Sequence, residues 1–293
     1  MVFKGQSADG SPELINLSPY GEWRASPMGL SGRDPIFFAQ LQSETNFFPE
    51  KSTCMENTCL HCHGVMVQRQ LAIDTPGQDT QNCKATFGIE PPSDVPFGKA
   101  FTRDIVNQWP GASNNAQQQY GALARDGISC TVCHHMAATN LGEEKSYTGN
   151  FVTGPVNELY GPYTNDKIIP KPMQQAIGVT PLSAEQITDS ELCNSCHNIL
   201  LPVFDNNGGT PKTFSYEQSA GLEWSNSDLG RAGDSFRSCQ DCHMPGQFHG
   251  QQLSYQIANI ESSAFPPTTN RLPNADITLT TQTPGGQCAS VSV

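Results

Sequence analysis

Apolar and polar positions along the chain come in short bursts, with no long periodic run. Asp34 followed by Pro35 marks a helix start, because Asp accepts from the first free N–H groups and Pro has none to leave unpaired. Phe37, Phe38 and Leu41 then share one face, which predicts a helix over 34–44. Residues 97–109 and 116–126 read as two further helices, the second stopped by Gly127. Ser183-Ala184-Glu185-Gln186 has the spacing of a capping box and predicts a helix that carries residues 193–197 at its far end. Ser215-Tyr216-Glu217-Gln218 repeats that spacing and predicts a helix through Trp224. The stretches 74–96 and 142–175 read as loops. From about residue 263 the chain turns to Pro, Thr and Asn, and Ile277–Thr281 alternates like a strand. These changes divide it into a domain over 1–262 and a tail over 263–293. The tail reads as an extended arm or edge strand able to dock on another subunit, or as a loose terminus.

Composition sharpens the fold class. Only 36% of residues are apolar, while 26 Gly and 22 Pro demand turns and irregular loops. The expected fold is mainly irregular coil with short α-helices and little β. Such a chain builds a thin core from its own side chains, and large apolar cofactors would supply the missing material. The formal net charge of −12 argues against nucleic acid or an anionic membrane as partner, since both need clustered cations. No apolar run reaches the length of a membrane span.

The 11 cysteines change the picture most. Cys59-Leu60-His61-Cys62-His63, Cys130-Thr131-Val132-Cys133-His134, Cys193-Asn194-Ser195-Cys196-His197 and Cys239-Gln240-Asp241-Cys242-His243 are four C-x-x-C-H units. Each reads as an attachment site for haem c, with two thiols for the two vinyl groups and the following His as proximal iron ligand. Zinc is the rival, but zinc does not require a His directly after the second Cys. With 7 His in 293 residues a random follower is His about one time in 42, so four of four is on the order of one in a few million. The expected cofactors are therefore four haem c, and the starts at 59, 130, 193 and 239 are too unevenly spaced for a solenoid repeat. Haem c attachment is completed outside the cytoplasm in most lineages, which places the protein outside the cell or in the periplasm, although no secretory leader is legible in the sequence given. In such a compartment Cys54 and Cys83 can form a disulfide around the first haem loop. Cys288 is then left over.

Four proximal ligands leave His61, His135 and His249 as distal candidates. Four bis-His irons need eight histidines, so at least one iron lacks a second His from this chain. His135 follows a proximal ligand directly and would serve a neighbouring haem, and His249 would bend back toward a second haem. Met28, in the Gly/Pro-rich loop from Trp23 to Pro35, is the thioether candidate, with Met55, Met66, Met136 and Met244 as alternatives near the motifs.

These residues resemble bacterial multihaem c-type cytochromes: Gly-Ile-Ser-Cys-Thr-Val-Cys-His at 127–134, Cys-Asn-Ser-Cys-His at 193–197 and Cys-Gln-Asp-Cys-His-Met-Pro at 239–245. Ser-Pro-Met-Gly-Leu-Ser-Gly-Arg-Asp-Pro at 26–35 and Cys-His-Gly-Val-Met at 62–66 are similar to a narrower subset, the tetrahaem extracellular cytochromes that polymerise into filaments. The resemblance covers roughly residues 20–250. It implies short helices and irregular chain wrapped around closely packed haems, and a homopolymer with haem-to-haem contacts that passes electrons to other redox proteins or extracellular acceptors. Filament members are bis-His throughout, with one distal His from the adjoining subunit, and the chain departs from that by lacking an eighth His.

Electron conduction needs no acid, base or nucleophile, and the sequence offers no such constellation, so an enzyme is not the expectation. A soluble periplasmic shuttle would share every motif and differ only in assembly. A reductase of a small oxyanion would use an open iron with Arg33, Arg103 or Arg125 beside it, against the overall negative field.

Overall fold

The computed structural model describes residues 19–83, 97–108, 116–206 and 213–244 continuously, with 2–6, 9, 11–16, 95, 209, 247–248, 251–256, 278–282 and 288–292. The fold is of the helical and coil class, built from short helices joined by turns and short paired strands.

Local signals set the first helices. Asp34 caps the helix Pro35–Phe47, its carboxylate accepting from the Ile36 N–H at 2.9 Å. This is the helix expected over 34–44, carried one turn further. Ser52–His63 and Val65–Asp74 follow, separated only by Gly64. Ala116–Arg125 matches the second expected helix, and Gly127 takes φ +68° just beyond it. These helices pack around one apolar cluster of Leu60, Val67, Leu71, Phe101, Val106 and Ala124, with Phe37 and Phe38 against it. A second cluster gathers Val65, Val132, Met136, Leu141, Phe151 and Leu192.

Several expectations are corrected. Of the helix expected over 97–109, only Arg103–Val106 is helical among the described residues. Phe101 gives its N–H to Asn57 Oδ1 and Arg103 gives its N–H to Glu56, so partners outside the segment hold it open. The Ser183 capping box does not form. Ser183 ends the strand Thr180–Ser183, which pairs in parallel with Glu158–Gly161, and a 3-10 turn over Glu185–Thr188 follows. Ser215–Gln218 lies in the strand Phe214–Ser219, antiparallel to Asn198–Pro202, and the helix reaching Trp224 begins only at Ala220. The stretch 142–175 is not featureless: it holds the Glu158–Gly161 strand and opens the helix Lys171–Ile177. The tail strand expected near 277–281 is present as Thr278–Gln282, but it pairs with Gln251–Gln256 on one side and Cys288–Ser292 on the other, so it is an inner strand and not an edge.

Candidate functional site

Each C-x-x-C-H unit sits on a helical turn. The first ends the helix Ser52–His63, the third ends Glu191–His197, and the fourth spans Cys239–His243. The second forms the turn Cys130–Cys133, with His134 just past it. On a helix, residues at i, i+3 and i+4 are neighbours, so the two Cys and the His of each unit stand at adjacent positions of one helical face. Local capping fixes two of these turns. Asp189 accepts from the Glu191 N–H, and Ser238 with Asp241 forms a reciprocal capping box.

The chain brings the four units together. Cys196 lies beside Cys62, and Cys193 beside Cys239, while Cys133 lies within electrostatic reach of Cys193 and Cys196. Cys133, Cys193 and Cys196 also pack against the second apolar cluster. Burial pushes the thiols of Cys59, Cys133 and Cys193 up to about 12, and the adjacent Cys62 together with burial raises Cys196 well above its ordinary value. These groups stay protonated at neutral pH, whereas metal ligation and thiol nucleophilicity both need the thiolate. Cys59, Cys62, Cys130, Cys133, Cys193, Cys196, Cys239 and Cys242 are all unbridged. Cys54 and Cys83, by contrast, form a disulfide with Cα atoms 5.0 Å apart. Among the described residues no three His, Cys, Asp or Glu side chains converge to hold a bare ion.

The histidines divide by what their ring nitrogens do. His134 has Nδ1 at 2.5 Å from the Tyr160 carbonyl, so the Nδ1–H donates and Nε2 carries the free lone pair. His61 is 7% exposed, with Nδ1 at 3.3 Å from the Thr148 carbonyl. Its Nε2 is buried with no partner. Burial first, and the charge of Arg69 second, push this imidazole down to about 3, so it is neutral and keeps an unused lone pair. An orphaned Nε2 of this kind fits an iron ligand. His63 stacks on Phe37 with ring centroids 3.5 Å apart and lies beside the Ser31 backbone, while its Nδ1 is buried without a partner. A proximal role for His63 requires its ring to turn away from Ser31. His135 is tied by Nε2 to the Pro155 carbonyl at 2.8 Å. His197 and His243 are exposed and near enough to sense one another, and burial together with the His243 charge lowers His197. His249 lies outside the described residues.

The methionines singled out from sequence scatter. Met28 lies on the turn Pro27–Leu30, its carbonyl accepting from the Ile128 N–H at 3.1 Å, just before the second unit. Met66 Sδ accepts from Ser129 Oγ at 2.8 Å, and Met136 is a core residue at 3% exposure. Met55 packs by the disulfide, and Met244 is exposed. A cleft of about 280 Å³ opens beside the second unit, lined by Cys130 and His134 on one hand and by Leu159, Ile168, Met173 and Leu182 on the other. Met173 had no sequence signal, since it stands far from any Cys motif.

Two further residues escaped the sequence. Arg69 is 7% exposed, with Nη2 donating to the carbonyls of Gly149 and Phe151 at 2.5 and 2.9 Å. Its guanidinium also lies over the Phe151 ring at 4.6 Å. Gly149 holds φ +76°, gives its N–H to the Ser195 carbonyl, and leaves only 2.8 Å between a hypothetical Cβ and His61 Cβ. The loop at 148–150 thus joins the first unit to the third. Arg33, Arg103 and Arg125 are committed elsewhere: to the Arg24 and Gly29 carbonyls, to Glu56, and to the Val106 and Gln108 carbonyls.

Comparison with known proteins finds no matching family model, no matching curated protein and no matching solved structure. Among the described residues no helix is long and apolar enough to cross a membrane.

Proposed function

We propose that the chain is a tetrahaem c-type cytochrome that carries electrons through closely placed haems. The observation that carries this is the convergence of four C-x-x-C-H units, each with its two Cys and its His at adjacent positions of one helical face and all eight cysteines unbridged. Haem, when bound, would supply one-electron chemistry between ferric and ferrous iron. The chain's part is to hold and insulate. Cys59 and Cys62, Cys130 and Cys133, Cys193 and Cys196, and Cys239 and Cys242 add their S–H bonds across the vinyl groups. His134 offers Nε2 because Tyr160 holds its Nδ1–H, and His197, His243 and a reoriented His63 take the same role at the other units. His61, with its buried free Nε2, is the best-prepared distal ligand. Val132, Leu141, Phe151 and Leu192 keep water from the junction of the second and third units.

An electron carrier is favoured over an oxyanion reductase because Arg33, Arg103 and Arg125 are all engaged within the fold. Export to the periplasm or cell exterior goes with this chemistry. The finer proposal, a filament subunit, draws on the exposed His197 and His243, which put two of the four units at the surface where a second copy can meet them.

The test is the intact mass of the chain produced in cells that attach haem c. The expected result is the chain plus four covalent haems, with one haem lost on replacing both Cys of any single unit by Ala. A chain mass without haem, or with metal that a chelator strips, would end the proposal.

A further inference from the structure

We infer that Met173 is the sixth ligand of the iron that His134 would hold in a haem attached through Cys130 and Cys133, which makes this a His/Met haem. The inference rests on the tetrahaem reading and adds a ligand to it.

Seven histidines cannot fill eight axial positions, so one iron must take a different donor or stay open. The second unit has its own cleft, about 280 Å³ in volume, walled by Leu159, Ile168 and Leu182. His134 enters it with Nδ1 already satisfied by Tyr160. Met173 lines the same cleft and is the thioether that does so. Nearby donors are committed. His135 gives Nε2 to Pro155, Met66 Sδ accepts from Ser129, and Met136 is packed in the core.

The backbone also fixes where Met173 stands. It is on the helix Lys171–Ile177, which Pro172 starts and Gly178 ends at φ +71°. Gln174 Nε2 donates to Thr180 Oγ1 at 3.1 Å, tying this helix to the strand that forms the cleft wall. A thioether raises the reduction potential relative to a second imidazole, so this iron would be more easily reduced than with a second His in the same place.

The experiment uses the haem-loaded protein. In the ferric state a sulfur-to-iron charge-transfer band, and in the ferrous state methionine methyl resonances shifted far upfield by the ring current, are expected at the intensity of one haem in four. Met173→Ala should abolish both, keep four covalent haems, and let carbon monoxide bind one haem of the reduced protein. Met173→His should abolish both while restoring six-coordination and lowering one midpoint potential, and it decides the matter where the Ala variant loses haem. Met28→Ala should change nothing. Signals absent from the unmodified protein, retained in Met173→Ala, or lost in Met28→Ala would overturn the assignment. A protein with no covalent haem would instead remove the tetrahaem reading itself.

Discussion

At residue 149 a side chain has no room. Gly149 stands against His61 and Cys62, receives Arg69 on its carbonyl and gives its N–H to Ser195. Its neighbour Thr148 holds φ +59°, a conformation rare for a β-branched residue, and is kept there by its hydroxyl on the Leu200 backbone. Gly149→Ala adds a methyl at a positive φ and inside contact distance of His61. It should cost on the order of 2 kcal/mol or more, read as a lower urea midpoint at unchanged slope. Individual residues differ in how far sequence discloses them. A His that completes a C-x-x-C-H unit is announced by the Cys beside it. The readiness of His61 depends on the Thr148 carbonyl, 87 residues away, and so cannot be read locally. Arg69 and Met173 are the same case, since each gains its meaning from partners that only folding brings near.

At the level of elements, the disulfide is the clearest constraint. It closes a 29-residue span that runs from inside the helix Ser52–His63 and contains the whole first C-x-x-C-H unit and the helix Val65–Asp74. Loop-closure entropy for that span corresponds to about 3–4 kcal/mol. Replacing Cys54 and Cys83 together by Ala should lower the unfolding free energy by roughly that amount, measured by denaturant titration against the oxidised protein. Helices whose signals are local were legible: Asp34-Pro35 starts one, and Gly127 stops another. The two Ser-x-x-Gln boxes failed for a shared reason. Ser183 and Ser215 both lie in strands whose partners, Glu158–Gly161 and Asn198–Pro202, sit outside the sequence window that suggested a cap. Strand pairing outweighed a capping preference of about 1 kcal/mol. The box that does form, Ser238 to Asp241, uses Asp where the pattern sought Glu or Gln.

For the whole molecule, the question is what meets the exposed His197 and His243. A contact between that face and a different face of a second copy propagates as an open helix wherever its rotation does not close into a ring. Electron microscopy of the native protein over a range of concentrations should show filaments of constant width. Discrete particles at every concentration would leave a shuttle. Either way, the convergence of the four units orders events in the life of the protein. Cys62 is buried and Cys196 half-buried beside it in the finished fold, although they lie far apart along the chain. On the tetrahaem proposal, a haem would reach such thiols only while the chain is still open, so attachment would come before closure and final folding would wait on chemistry. On the same proposal, a haem held there by two thioether bonds would stay attached even on unfolding, so a damaged protein would be replaced as a unit, never refurbished.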